Sequence, residues 1–197
     1  MKPSPVICLA SSSPRRQELL RQIGVRFEVL PVAVDESLRA HETPEAHALR
    51  LALDKARAGR SLLDTGRQLP VLGADTVVVT GGRVLGKPAD RTQALDMLRL
   101  LSGGTHQVVS AVAISADRER TRVCTSNVTF RTLFARECQA YWDTHEPADK
   151  AGAYAIQGLA AVFIARLEGS YSGVMGLPLF ETGALLEESG ISVLMGP

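Results

Sequence analysis

The chain has 197 residues, 45% of them hydrophobic and 22% charged, an ordinary globular composition that can bury one substantial core. Its 22 basic and 21 acidic residues leave a formal charge of +1, so no global field draws it to nucleic acid or to an anionic membrane, and any anion site must be local. Cys8, Cys124 and Cys138 are odd in number and widely spaced, which argues against a disulfide framework and a zinc site, and the apolar run 6–10 is too short for a signal-peptide core or a membrane span. The expected compartment is the cytoplasm.

Val6 to Leu9 reads as a buried first strand, followed by Ser11-Ser12-Ser13-Pro14-Arg15-Arg16 and a helix from about Pro14 to Ile23, with Gly24 as its stop. Ser13 is suited to cap that helix and Pro14 to its first position, and the open N–H groups there, reinforced by Arg15 and Arg16, form a place for an anion such as phosphate. The same residues also suit an ordinary helix start with solvated arginines, so the junction alone leaves both readings open. Phe27 to Val34 reads as extended and delivers Asp35 and Glu36 to its end.

A second helix opens at Thr43-Pro44-Glu45, with Ala48, Leu49, Ala52, Leu53 and Ala56 as its apolar face and Lys55 beside that stripe rather than on it. Val71 to Val79 reads as a strand interrupted by Asp75, turning at Gly81-Gly82 and returning through Leu85-Gly86-Lys87-Pro88. A helix from Arg91 to Leu101 capped by Asp90, strands over 107–115 and 122–133, and a helix over 134–145 follow. The remainder reads as an irregular segment 147–157, a strand 161–167, a Gly-rich loop 169–176 and a final helix from about Pro178 to Glu188. This alternation predicts a mixed α/β sheet flanked by helices on both faces, one domain over 1–197 folded as two lobes around a cleft.

Asp75 inside an apolar strand needs a partner if buried, and metal binding, proton transfer or the capping of a neighbouring loop would each supply one. Asp35 and Glu36 offer further oxygen ligands, so the three acids together suggest an acidic half-site, and Lys55 and Lys87 a basic one. Each of these residues taken alone is equally at home on a solvated surface. No complete Walker A motif occurs, since Gly81-x4-Gly86-Lys87 is followed by Pro88 and not by Ser or Thr; no G-x-S-x-G elbow occurs, and the four histidines lack metal-ligand spacing.

In order along the chain, Leu9-Ala-Ser-Ser-Ser-Pro-Arg-Arg-Gln-Glu-Leu-Leu20, Asp35-Glu36, Leu51-Ala52 with Lys55-Ala56, Gly73-Ala-Asp-Thr-Val-Val78, Leu85-Gly-Lys-Pro88, Asp149-Lys-Ala-Gly-Ala-Tyr154 with Ile156-Gln-Gly158, and Gly169-Ser-Tyr171 with Gly176-Leu-Pro178 resemble the motifs of the Maf family of nucleoside triphosphate pyrophosphatases, relatives of the inosine triphosphate pyrophosphatases. The resemblance implies an elongated mixed sheet, dependence on Mg²⁺ or Mn²⁺, and a homodimer. It implies a small nucleotide as substrate, with no nucleic acid and no membrane as partner. Arg15 and Gln157 resemble the branch that hydrolyses dTTP and UTP to the monophosphate and pyrophosphate, a housecleaning role; the 7-methyl-GTP branch usually has another residue after the first Ser-Pro and a glutamate in place of Gln157.

By the same resemblance, Ser11, Arg15, Arg16, Lys55 and Lys87 hold phosphates, and Glu36 and Asp75 bind metal and orient water, with Asp75 as general base. Gln157 offers an amide donor and acceptor to the imide edge of uracil or thymine. The family commonly has glycine where this chain has Ala155, a departure that matters if that position needs a positive φ or lies against the ligand. The competing readings are a pyrophosphatase for purine nucleotides or 7-methyl-GTP, and a nucleotide-binding regulator of cell division and septum formation.

Overall fold

The computed structural model describes residues 5–64 and 69–193. In chain order they form β1 (Ile7–Leu9), α1 (Pro14–Gln22), β2 (Phe27–Val29), α2 (Pro44–Ser61), β3 (Val71–Thr80), β4 (Arg83–Leu85), α3 (Arg91–Leu101), β5 (Thr105–Ser115), β6 (Glu119–Phe130), α4 (Ala135–Asp143), β7 (Ile164–Glu168), α5 (Tyr171–Met175) and α6 (Leu179–Glu188), with 3₁₀ turns between α4 and β7. The seven strands make one mixed sheet in the order β2-β1-β3-β5-β6-β7, with β4 paired to β3. β1 runs parallel to both β2 and β3, whereas β3–β4 and β6–β7 are antiparallel. The expected mixed α/β class is the one observed.

Local chemistry explains several element ends. The Thr43 hydroxyl accepts from Ala46 N–H at 3.2 Å with Pro44 at the first helical position, and Asp90 accepts from Gln93 N–H at 2.8 Å. Gly81 and Gly82 both have positive φ, 54° and 73°, the geometry of the tight β3–β4 hairpin.

Other ends differ from the sequence expectations. Ser13 makes no side-chain cap to α1; its backbone N–H instead donates to the Ser11 hydroxyl at 3.2 Å. β2 stops at Val29, short of Val34, because Pro31 has no N–H to continue a ladder. β7 begins only at Ile164, after a 3₁₀ turn over Leu159–Phe163. The Gly-rich segment after it contains α5, whose Gly173 N–H is taken by the Ser170 hydroxyl at 2.9 Å.

The chain divides into two compact units, Met1–Asp75, Ser110–Cys124 and Gly176–Pro197 in the first, and Thr76–Val109 and Thr125–Met175 in the second. In the first, Cys8, Ala10 and Val71 are fully buried, with Leu30 and Val32 packed against them. In the second, α3 and α4 contribute Leu95, Leu98 and Tyr141 to a core shared with Phe130, Tyr154 and Phe163. Its rings meet edge to face, Phe130 to Tyr154 at 4.9 Å and Tyr141 to Phe163 at 5.2 Å.

Candidate functional site

Most of the residues singled out in the sequence gather in the first unit. There α2 and β3 approach unusually closely: a Cβ on Gly73 would lie 2.1 Å from the Ala52 carbonyl oxygen and 2.6 Å from Ala56 N. Real Cβ atoms do not tolerate such distances, so glycine is what lets helix and strand touch. Two residues along β3 from this contact is Asp75, and one turn from Ala52 on α2 is Lys55.

Lys55 Nζ donates to Asp75 Oδ1 at 2.7 Å and stands 2.6 Å from Glu36 Oε1. Lys55 and Asp75 are only 9% and 7% exposed, while the Glu36 side chain is half open to solvent. Lys55 therefore lies on the buried face of α2, not beside it as the apolar stripe suggests, because two carboxylates compensate its charge.

The anion junction stands in the same electrostatic neighbourhood. Ser11 Oγ accepts from Arg16 Nη1 at 3.2 Å, and Arg16 Nε donates to the Gly176 carbonyl at 2.8 Å. Burial lowers the Arg16 pKa, Asp75 and Glu36 oppose that shift, and Arg15 adds to it. Arg15 itself is half-exposed in the first turn of α1. The junction thus offers guanidinium groups, a serine hydroxyl and a helix N-terminus, and Arg16 feels the charges of Asp75 and Glu36.

The segment between β2 and α2 carries Glu36 and is tied down by α2. Arg50 donates to Glu42 through Nε (2.6 Å) and Nη2 (2.8 Å), and Nη2 also donates to the Ser37 carbonyl at 3.0 Å. Arg50 holds the Glu42 carboxyl well below the usual range, with His47 assisting from 3.0 Å. The local sequence cue to this latch is the i, i+3 pair of His47 and Arg50 on α2.

Of the three acids, Glu36 and Asp75 meet Lys55, while Asp35 makes a local turn bond. Asp35 is exposed and its Oδ1 accepts from Ser37 N–H at 3.0 Å, a turn-forming bond that lowers its pKa. Among the described residues no group of three or more His, Cys, Asp or Glu side chains is placed to hold a metal. Glu36 and Asp75 do converge, since both reach one ammonium. Two carboxylates from different elements fit the chemistry of Mg²⁺ or Mn²⁺, which take oxygen donors and complete their shells with water and phosphate.

Lys87 and Gln157 lie in the second unit, where both are exposed. Lys87 follows β4, flanked by exposed Gly86 and buried Pro88, and the Gly86 carbonyl accepts from Gly152 N–H at 3.0 Å. Gln157 is the third residue of a turn closed by Gly158 N–H to the Ala155 carbonyl at 3.1 Å. Among the described residues the non-glycine residues with positive φ are His41, His145 and Ala153, so the backbone conformation of Ala155 does not require glycine.

Side chains hold this turn. Tyr141 Oη accepts from Ala155 N–H at 3.1 Å and donates to Glu146 Oε1 at 2.7 Å, and Glu146 Oε2 accepts from Leu159 N–H at 3.0 Å. Tyr154 Oη lies 2.8 Å from His106 Nε2 within the aromatic core. Burial pushes both tyrosine hydroxyls up, and the bond to Glu146 pushes Tyr141 further. Burial likewise lowers His106 to about 4. No sequence motif marks Tyr141 or Glu146, whose contact is made through the fold.

Among the described residues no helix is long and apolar enough to cross a membrane. The family model described as Maf-like protein matches residues 6–189. A dTTP/UTP pyrophosphatase of Alkalilimnicola ehrlichii is 58% identical over 187 residues, 93% of this chain and 93% of that protein. Proteins of the same name from Salmonella typhimurium (53% identical, 90% of each chain) and Saccharophagus degradans (52% identical, 94% of this chain and 89% of that one) are similar over comparable lengths. Similar solved structures include the Staphylococcus aureus Ham1 protein, 18% identical with a TM-score of 0.40 over 63% of this chain and 70% of that one. Another is a nucleoside-triphosphatase, dITP/XTP pyrophosphatase, from Mycobacterium abscessus, 19% identical with a TM-score of 0.37 over 63% and 72%.

Proposed function

This chain belongs to the Maf-like protein family, and we propose that it is a nucleoside triphosphate pyrophosphatase that hydrolyses dTTP and UTP to the monophosphate and pyrophosphate. The observation that carries the reading is the position of the Lys55 ammonium, held between the Glu36 and Asp75 carboxylates beside the Ser11–Arg16 junction. Phosphoanhydride hydrolysis asks mainly for positioned charge, and this cluster supplies both signs on helix and strand.

In this reading Ser11, Arg15, Arg16 and Lys55 hold phosphate oxygens, and Lys87 adds a further ammonium. Asp75 accepts a proton from the water whose oxygen bonds to the α-phosphorus, as the bond to the bridging oxygen breaks and pyrophosphate leaves. A divalent cation bound through Glu36 and Asp75 would neutralise phosphate charge and acidify water. Gln157 presents one donor and one acceptor to the base, the pattern an imide edge requires. Cys8, Cys124 and Cys138, which form no disulfide among the described residues, suit the reducing cytoplasm we assign to it. Exposed Phe134, Val162 and Phe180 offer apolar area to the proposed homodimer, whose mass light scattering measures.

Pyrophosphate release from a panel of nucleoside triphosphates, with Mg²⁺ or with EDTA, tests the reading. UTP and dTTP should turn over fastest and EDTA should abolish release. Equal turnover of purine nucleotides would overturn the pyrimidine preference, full activity in EDTA the metal requirement, and binding without turnover of any nucleotide would favour the regulator.

A further inference from the structure

We propose that Tyr141 and Glu146 form a positioning clamp that holds the Gln157 turn in the conformation that discriminates between nucleobases. The inference rests on Gln157 reading the base, as proposed above. That task is geometrically demanding: the two amide atoms must meet a donor and an acceptor together, within about 0.5 Å of the productive position. Gln157 has no helix or strand to fix it, since it sits in a four-residue turn with its side chain exposed.

The rigidity comes from two side chains that bracket the turn. Tyr141 is buried on α4, and its hydroxyl accepts the N–H of Ala155, the first residue of the turn, at 3.1 Å. The same hydroxyl donates to Glu146 Oε1 at 2.7 Å. Glu146 then accepts from the far side of the turn, through Oε2 from Leu159 N–H at 3.0 Å and through Oε1 from Ala160 N–H at 3.5 Å. One tyrosine and one carboxylate thereby join the two ends of the turn.

Two backbone features show how closely the clamp is fitted. A Cβ on Gly158 would fall 2.2 Å from Glu146 Oε2, so the carboxylate lies flat against the turn where any larger residue would stand. His145, immediately before Glu146, takes φ 62°. That left-handed conformation is unfavourable for a non-glycine residue, and it is held next to the residue that reaches the turn.

The test compares kcat and KM for UTP and CTP, because cytosine presents an amino donor where uracil presents a carbonyl acceptor. Tyr141→Phe and Glu146→Gln each remove one member of the clamp with little change of volume, and their thermal melts confirm that they fold. Either variant should raise the UTP KM and lower the UTP-to-CTP ratio of kcat/KM by about tenfold, with kcat for UTP changed less than KM. In a Gln157→Ala background, the same substitutions should leave the ratio where Gln157→Ala alone has put it.

A merely structural role lowers kcat/KM for UTP and CTP by the same factor, and that result overturns the clamp. An unchanged ratio in both clamp variants, with a collapsed ratio in Gln157→Ala, overturns the clamp and leaves the reading of Gln157 standing. An unchanged ratio in Gln157→Ala removes the reading of Gln157, and the clamp with it.

Discussion

The proposed phosphate-handling residues and the proposed base-reading residue are held in place by opposite means. In the first unit, Lys55 and Asp75 ride on a helix and a strand, and their meeting is set by backbone approach at Gly73. In the second, Gln157 sits on a short turn fixed through side chains that grasp backbone N–H groups. The first arrangement is stiff because moving Lys55 means moving α2 against β3. The second depends on a few hydrogen bonds, each contributing about 1 kcal/mol, so modest substitutions can tune it. Charge placement common to all nucleotides suits a stiff frame, and base selectivity suits an adjustable one.

The comparison breaks most visibly at its chemical centre. Asp75→Asn should lower kcat by about 10²- to 10⁴-fold, the usual contribution of a general base, while calorimetric titration shows nucleotide still bound. Unaltered turnover would remove Asp75 from the mechanism.

Gly73→Ala should come next. Its methyl group overlaps the Ala52 carbonyl and Ala56 N, an overpacking against backbone that we expect to cost roughly 3 kcal/mol or more. Urea unfolding measures the loss, and activity should fall with it because Lys55 and Asp75 are forced apart. Wild-type stability would mean that backbone approach does not set the pair.

The two lysines sharpen the contrast further. Lys55→Ala leaves Glu36 and Asp75 facing each other without their common cation, so it should change both the melting temperature and the kinetics. Lys87→Ala, at an exposed position, should raise KM and lower kcat, by about tenfold in kcat/KM, with an unchanged melt. Identical thermal effects in the two variants would contradict their placement.

The smallest expected effect concerns acid. Buried His106, lowered to about 4, binds its proton less readily in the folded chain than in the unfolded chain, whose pKa is about 6.5. The stability supplied by its neutral form is therefore complete above 6.5 and is lost as the pH falls toward 4. Between pH 7 and pH 5 the loss should be roughly 2 kcal/mol, read as the part of the pH dependence of urea unfolding that disappears in His106→Gln. An identical pH dependence in the variant would exclude the histidine as its source.

Much of the local architecture was legible in the residues. The Thr43-Pro44 and Asp90 helix starts, the Gly81-Gly82 hairpin and the interrupted strand around Asp75 are all found where the sequence places them. The differences arise where a neighbour two residues away takes up a group that the local pattern assigns elsewhere. Ser13 was the local cap of α1, yet its N–H is taken by Ser11, whose hydroxyl also receives Arg16. Asp35 resembled its neighbour Glu36 as a ligand, but Ser37 N–H occupies one of its oxygens.

By itself the sequence determined which groups carry charge, where helices and turns begin, and which motifs run in family order, because these are properties of residues and of neighbours within a turn. Only the tertiary structure decided that Lys55 serves both Glu36 and Asp75, that Arg16 is anchored on Gly176, and that Tyr141 and Glu146 hold the turn of Gln157. Ion pairing and hydrogen bonding depend on separation through space and on exclusion of water. Both are fixed only when strands and helices distant along the chain are brought together.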